Sequence, residues 1–66
     1  MQSQTINVKG KNHTITNGNG YIIIYKTTSE VLTDIAGIVT HMDEFCITLE
    51  HRKKVHIESI ESIIEI

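Results

Sequence analysis

The feature that most constrains this chain is its succession of short Ile-, Val- and Thr-rich segments, cut apart by Gly, Asn and charged residues. β-Branched side chains are stiff about χ1 and crowd a helix, yet they pack well on a pleated surface. The sharpest cut is Asn17-Gly18-Asn19-Gly20, which holds two Asn-Gly pairs. Asn-Gly is the strongest short-range turn signal in the chain, because both residues accept a positive φ. The expected class is all-β: a small, strongly bent sheet or a small barrel, with an N-terminal hairpin.

Segment by segment, residues 4–8 alternate, with Ile6 and Val8 on one face. A turn around Lys9-Gly10-Lys11-Asn12 and a short returning strand over residues 13–16 follow. The apolar run YIIIYK, residues 21–26, is long enough for a buried strand or one paired in an interface. After a turn over residues 27–30, residues 31–41 read as one long strand bent at Ala36-Gly37, since an interior Gly marks a bulge or a close backbone approach. Phe45, Ile47 and Leu49 alternate with Cys46, Thr48 and Glu50, which assigns the first three to the core. His51-Arg52-Lys53-Lys54 forms the tip of a hairpin, and Val55 and Ile57 continue the core face beyond it. For residues 57–66 the reading is a strand, one helical turn over residues 58–61 and a short closing strand.

Sixty-six residues form a single small domain, in which residues 1–20 are an added hairpin or an arm and residues 21–66 a barrel-like core. A chain this short, without Pro, Trp or a second cysteine, has no internal disulfide to staple it and is expected to complete its core by self-association. Cys46 alone cannot build a cysteine-rich zinc cluster. The opening residues lack the apolar segment of a secretory signal, and no stretch approaches about 20 apolar residues. Cytoplasmic residence is the expectation. The formal charge of −2 argues against a generally basic nucleic-acid binder, so any such contact has to come from a local patch.

The second half carries two family likenesses. GIVTHMDEFCITL, with Gly37, Met42-Asp43, Phe45 and Leu49 at the key places, resembles the first motif of Sm-like proteins, the family of the bacterial RNA chaperone Hfq. In KVHIESIESI the apolar spacing of the second motif is kept, but Ile57-Glu58 stands where Hfq carries Lys-His, so its uridine-binding pair does not carry over. Residues 21–66 also resemble the YolD-like family of small bacterial and phage-associated proteins, whose tail pattern Val55-His56-Ile57-Glu58-Ser59-Ile60-Glu61-Ser62-Ile63 fits. Together these resemblances imply an Sm-like or SH3-like barrel. The second also implies a phage- or mobile-element-associated role, with a tie to DNA-damage polymerases proposed for that family.

Candidate sites are few. The one dense basic cluster, His51, Arg52, Lys53 and Lys54 with His56 nearby, could contact phosphates; as a solvated tip it would instead keep a sheet edge from aggregating. The spacings of His13, His41, His51 and His56 match no zinc signature, so no metal or cofactor is expected. His41 and Asp43 share a strand face, but Asp43 fits better as an acceptor for turn amides, and Cys46 lacks an evident base. No catalytic residue is assigned. Tyr21 and Tyr25 are candidate interface anchors. Ile22, Ile24, Tyr25, Ile63, Ile64 and Ile66 are the expected seams of a homo-oligomer joined through strand edges. The expected function is a non-enzymatic interaction or regulatory module that binds a protein partner. The alternatives are an Sm-like ring binding RNA or nucleotides through the basic tip, and an oligomer that sequesters a small ligand at a subunit junction.

Overall fold

Lys9-Gly10, with φ of 53° and 82°, makes a two-residue turn that folds Ser3–Val8 (β1) against Lys11–Thr16 (β2) in antiparallel register, Val8 opposite Lys11. The computed structural model describes residues 2–66, and the chain is all-β. Gly20–Lys26 (β3), Leu32–Met42 (β4), Cys46–Leu49 (β5) and Lys53–His56 (β6) follow as a meander. A 3₁₀ turn, Ile57–Ser59 (η1), then sends Ile60–Glu65 (β7) back beside β3. The resulting five-stranded sheet has the order β6-β5-β4-β3-β7, all antiparallel.

β4 is the hinge of this sheet. Residues 32–38 pair with β3, whereas Val39, His41 and Met42 pair with β5, so one strand serves two halves that curve apart. Thr40 is the extra residue of a bulge between Val39 and His41, and bulges bend a strand and re-aim the next side chain. The sequence puts the bend at Ala36-Gly37; the bulge lies slightly later, and Gly37 contributes by close approach. A Cβ at Gly37 would stand 3.0 Å from Glu50 Cγ. Glu50 is not free to move, because its Oε2 accepts the Ile38 N–H at 2.7 Å.

Gly37→Ala is therefore expected to destabilise the fold by about 1 kcal/mol, the order of one hydrogen bond. Elsewhere in a strand the same change gains roughly 0.5–1 kcal/mol. In a Glu50→Ala background the obstruction is gone and Gly37→Ala should stabilise. Urea midpoints around this double-mutant cycle read the change of sign.

The core lies between the concave face of the sheet and the β1–β2 hairpin. Ile23, Val39, Ile47, Leu49, Val55 and Ile60 come from the sheet, and Ile6, Val8 and Ile15 from the hairpin. Residues 1–20 thus include a hairpin that packs on the core. Its end is fixed by a reciprocal backbone pair: Gly18 N–H donates to Val39 O, and Val39 N–H to Asn19 O. Tyr21 is buried, and its hydroxyl accepts the Thr16 N–H at 2.9 Å. Among the described residues β6 and β7 do not pair with each other, so the sheet stays open and is not a closed barrel.

Three readings are corrected. Phe45 is 68% exposed and outside the core. Asp43 Oδ1 takes the N–H of both Phe45 and Cys46, at 2.8 and 2.7 Å, so β5 starts at Cys46 and Phe45 stays in the turn. The hairpin tip is Glu50-His51, one residue earlier than the basic string. Both are left-handed, with φ of 52° and 61°, and Arg52 N–H donates to Leu49 O across the turn. The helical turn of the tail falls at Ile57–Ser59, one residue before the expected place.

Candidate functional site

Strand alternation sorts the convex face of the sheet into two halves of opposite character. Over residues 32–38 of β4 the exposed residues are Leu32, Asp34, Ala36 and Ile38; Ile35, between them, packs on the core. Register places Ala36, Ile22 and Ile64 in one row across β4, β3 and β7, with Asp34, Ile24 and Ser62 in the next. Ile66 closes the patch: its N–H donates to Gly20 O, and its Cδ1 would lie 3.6 Å from a Cβ on Gly20. Ile64 is 51% and Ile66 75% exposed, and Ile38 and Leu32 are also open to solvent. This half is an apolar sheet face with Asp34, Ser62 and Lys26 scattered in it.

Of the six expected interface residues, Ile22, Ile24, Ile64 and Ile66 lie on this face. Ile63 opposes Ile23 on the concave side and packs on the core. Tyr25 joins it there because alternation along β3 puts it on the side of Tyr21 and Ile23, where it lies opposite Ile60.

The other half is polar and basic. His41 on β4, Thr48 on β5 and Lys54 on β6 form one row in register. His51 stands edge-on to His41 with ring centroids 5.8 Å apart. Thr40 makes this possible: its hydroxyl accepts the His51 N–H at 2.9 Å and donates to Thr48 O at 3.3 Å, which ties the bulge to the strained turn. A left-handed L-residue costs about 1–2 kcal/mol. The Glu50 carboxylate on Ile38 and the Thr40 hydroxyl on His51 are the bonds that offset it.

His41, Met42, Asp43, Thr48, His51 and Lys54 line a shallow groove of about 400 Å³. The basic string is therefore divided. Lys54 and His51 enter the groove. His56 lies one row further along, its Nδ1 3.5 Å from Cys46 Sγ, which gives the cysteine a ring nitrogen that sequence spacing does not reveal. Lys53, opposite the buried Leu49 and two residues from the buried Val55, belongs to the other side of β6. Arg52 is exposed at the exit of the turn. His51 and His56, which flank the hairpin, each pair elsewhere. His13 is on β2, away from the groove. Among the described residues no group of three or more His, Cys, Asp or Glu side chains could hold a metal ion. No helix among them is long and apolar enough to cross a membrane.

Asp43 closes one end of the groove as an exposed carboxylate. The amides of Phe45 and Cys46 hold its carboxyl below the usual carboxylate range; Lys54 and His56 add attraction, and slight desolvation opposes them. With the folded value depressed, its contribution to stability is complete above the unfolded value of about 3.9. It is lost as pH falls through the lower folded value. Asp43→Asn keeps an acceptor but removes the linked proton, so the acid loss of stability should be shallower in the variant. Urea midpoints at about pH 5 and about pH 3 measure this slope.

Comparison of the chain with family models, with curated proteins and with solved structures finds no match.

Proposed function

We propose that this protein is a non-enzymatic interaction module that works as a homo-oligomer and presents a binding surface to a protein partner. The observation that carries the reading is the apolar convex face built by Ile22, Ile24, Ile38, Ile64 and Ile66. Contiguous apolar patches of this kind mark interaction surfaces. One strand edge, on β7, adjoins it and the other, on β6, lies at the far end of the sheet; neither has a further strand partner among the described residues. Unpaired edges are templates for another strand, so edge pairing and burial of the face act together. The return of β7 to β3 leaves the sheet one pairing short of a small barrel, which is compatible with the Sm-like or SH3-like reading; the phage- or mobile-element association rests on the YolD-like tail pattern, and cytoplasmic residence on the sequence alone. Light scattering coupled to size exclusion tests the assembly. A discrete oligomer is expected, and a folded monomer across the accessible concentration range would refute it.

A second reading is supported by the other half of the convex face: binding of RNA or nucleotides through Lys54, His51, Arg52 and His56. Its mark is affinity that falls steeply as salt rises, because each neutralised phosphate releases counterions. Nucleic-acid absorbance under the oligomer peak would favour it over the protein-interaction reading.

A further inference from the structure

We infer that the groove between β4, β5 and β6 is a phosphate-binding site, with Thr48 as its floor and His41, His51 and Lys54 as its walls. The inference deepens the second reading and rests on it: it moves the contact from the hairpin tip as a whole to one row of residues. Four observations converge. His41, Thr48 and Lys54 are direct cross-strand neighbours, so their Cβ atoms are about 5 Å apart in sequence across the row. Thr48 is only 8% exposed yet lines the groove, which places a hydroxyl at its base. His51 reaches His41 through a left-handed turn held by two side-chain hydrogen bonds, and non-glycine residues in that conformation concentrate at binding sites. The donors are of the right kind: an ammonium group, two imidazoles and a hydroxyl can converge on the several acceptor oxygens of one phosphate.

Asp43 is the counter-charge at the end of the groove. Its Oδ1 is committed to the amides of Phe45 and Cys46, and Lys54 adds attraction without closing an ion pair with it. The groove is shallow and open, so it grips the phosphate and leaves the rest of a nucleotide or strand in solvent.

The test is a titration followed by the imidazole carbon–proton resonances of the full chain, with inorganic phosphate, ATP and a single-stranded RNA oligomer as separate probes. His41 and His51 should shift and saturate together while His13, on β2, stays still as an internal reference. Lys54→Gln should weaken binding about tenfold, the loss of one charge-assisted hydrogen bond. Lys53→Gln, on the opposite side of β6, should leave it unchanged. Because Lys54 is exposed, the rest of the spectrum reports whether the variant is folded, and the wild-type thermal midpoint should rise with the same probe. Saturation by inorganic phosphate or ATP identifies a free phosphate group as sufficient; saturation by the RNA alone identifies a strand, and either supports the groove. If RNA binds but His41 and His51 do not move, or Lys53→Gln is as harmful as Lys54→Gln, the groove is refuted and the basic-tip reading stands. If none of the three probes binds at millimolar concentration, both are refuted.

Discussion

Ile15→Ala should lower stability by about 2–5 kcal/mol, the range for truncating a buried aliphatic side chain. Ile15 is 1% exposed and belongs, with Ile6 and Val8, to the same cluster as Ile23, Ile47 and Leu49. A domain of this size has a total stability near the lower end of about 5–15 kcal/mol. The variant would therefore lose much of it, and its thermal midpoint should fall by more than about 10 °C. Thr14→Ala, next to it on the exposed side of β2, should stay within about 0.5 kcal/mol. Calorimetric melting of both variants separates a hairpin that completes the core from an arm that merely touches it. An arm would leave the midpoint of Ile15→Ala near that of Thr14→Ala.

That dependence explains how so short a chain fills a concave face. Five strands bent at β4 leave one side of the sheet open, and the first hairpin covers it with three aliphatic side chains. Gln4 extends the contact, its Nε2 donating to Asp43 O at 2.9 Å, and Lys9 pairs with Glu61 at 3.2 Å. Both of these are surface interactions of small weight; apolar burial is what holds the two layers together.

Most strands could be read from the chain because their information is local. Ile6 and Val8, Tyr21 and Ile23, and Val55 all show the two-residue period that a half-buried strand requires. Asn17-Gly18 marks its own turn, with Gly18 at φ 94°. Phe45 misled because alternation with Ile47 and Leu49 carries no sign that Asp43 would hold back the start of β5; the available signal was an Asp two residues before it, an Asx-turn residue. Glu50-His51 could not be found as the hairpin tip, since no Gly or Asn announces a left-handed pair and the following Arg52-Lys53-Lys54 draws the eye. Division of the basic string depends on which residues of β6 face Leu49, and the meeting of His41 with His51 depends on the bulge at Thr40. Each is a matter of register, fixed only when distant strands pair. Ile60 shows the same limit, because a register shift against β3 that passes over Glu61 sets it opposite Tyr25.

Ile64→Lys should convert the assembled protein to a folded monomer. Ile64 ends the apolar row on the outermost strand, half exposed, so the isolated fold has little to lose from its replacement; surface changes of this kind usually stay within about 0.5 kcal/mol. An assembly that buries the face has much to lose. An ammonium group placed there must be desolvated without a partner, since Asp34, one row along and two strands over on β4, is the carboxylate of the face in register. Glu65→Lys is the matched control: it makes a larger change of charge on the same strand, but Glu65 opposes Tyr21 and so belongs to the other side of the sheet. The expected result by light scattering is monomer for Ile64→Lys and wild-type mass for Glu65→Lys, with unchanged thermal melting of the monomer at low concentration. Loss of assembly in both variants would mean that general charge on β7, acting at its edge, controls association rather than burial of the face. Retention in both would remove the convex face from the interface altogether and leave edge pairing through β6 and β7 as the sole route by which copies of this chain could join.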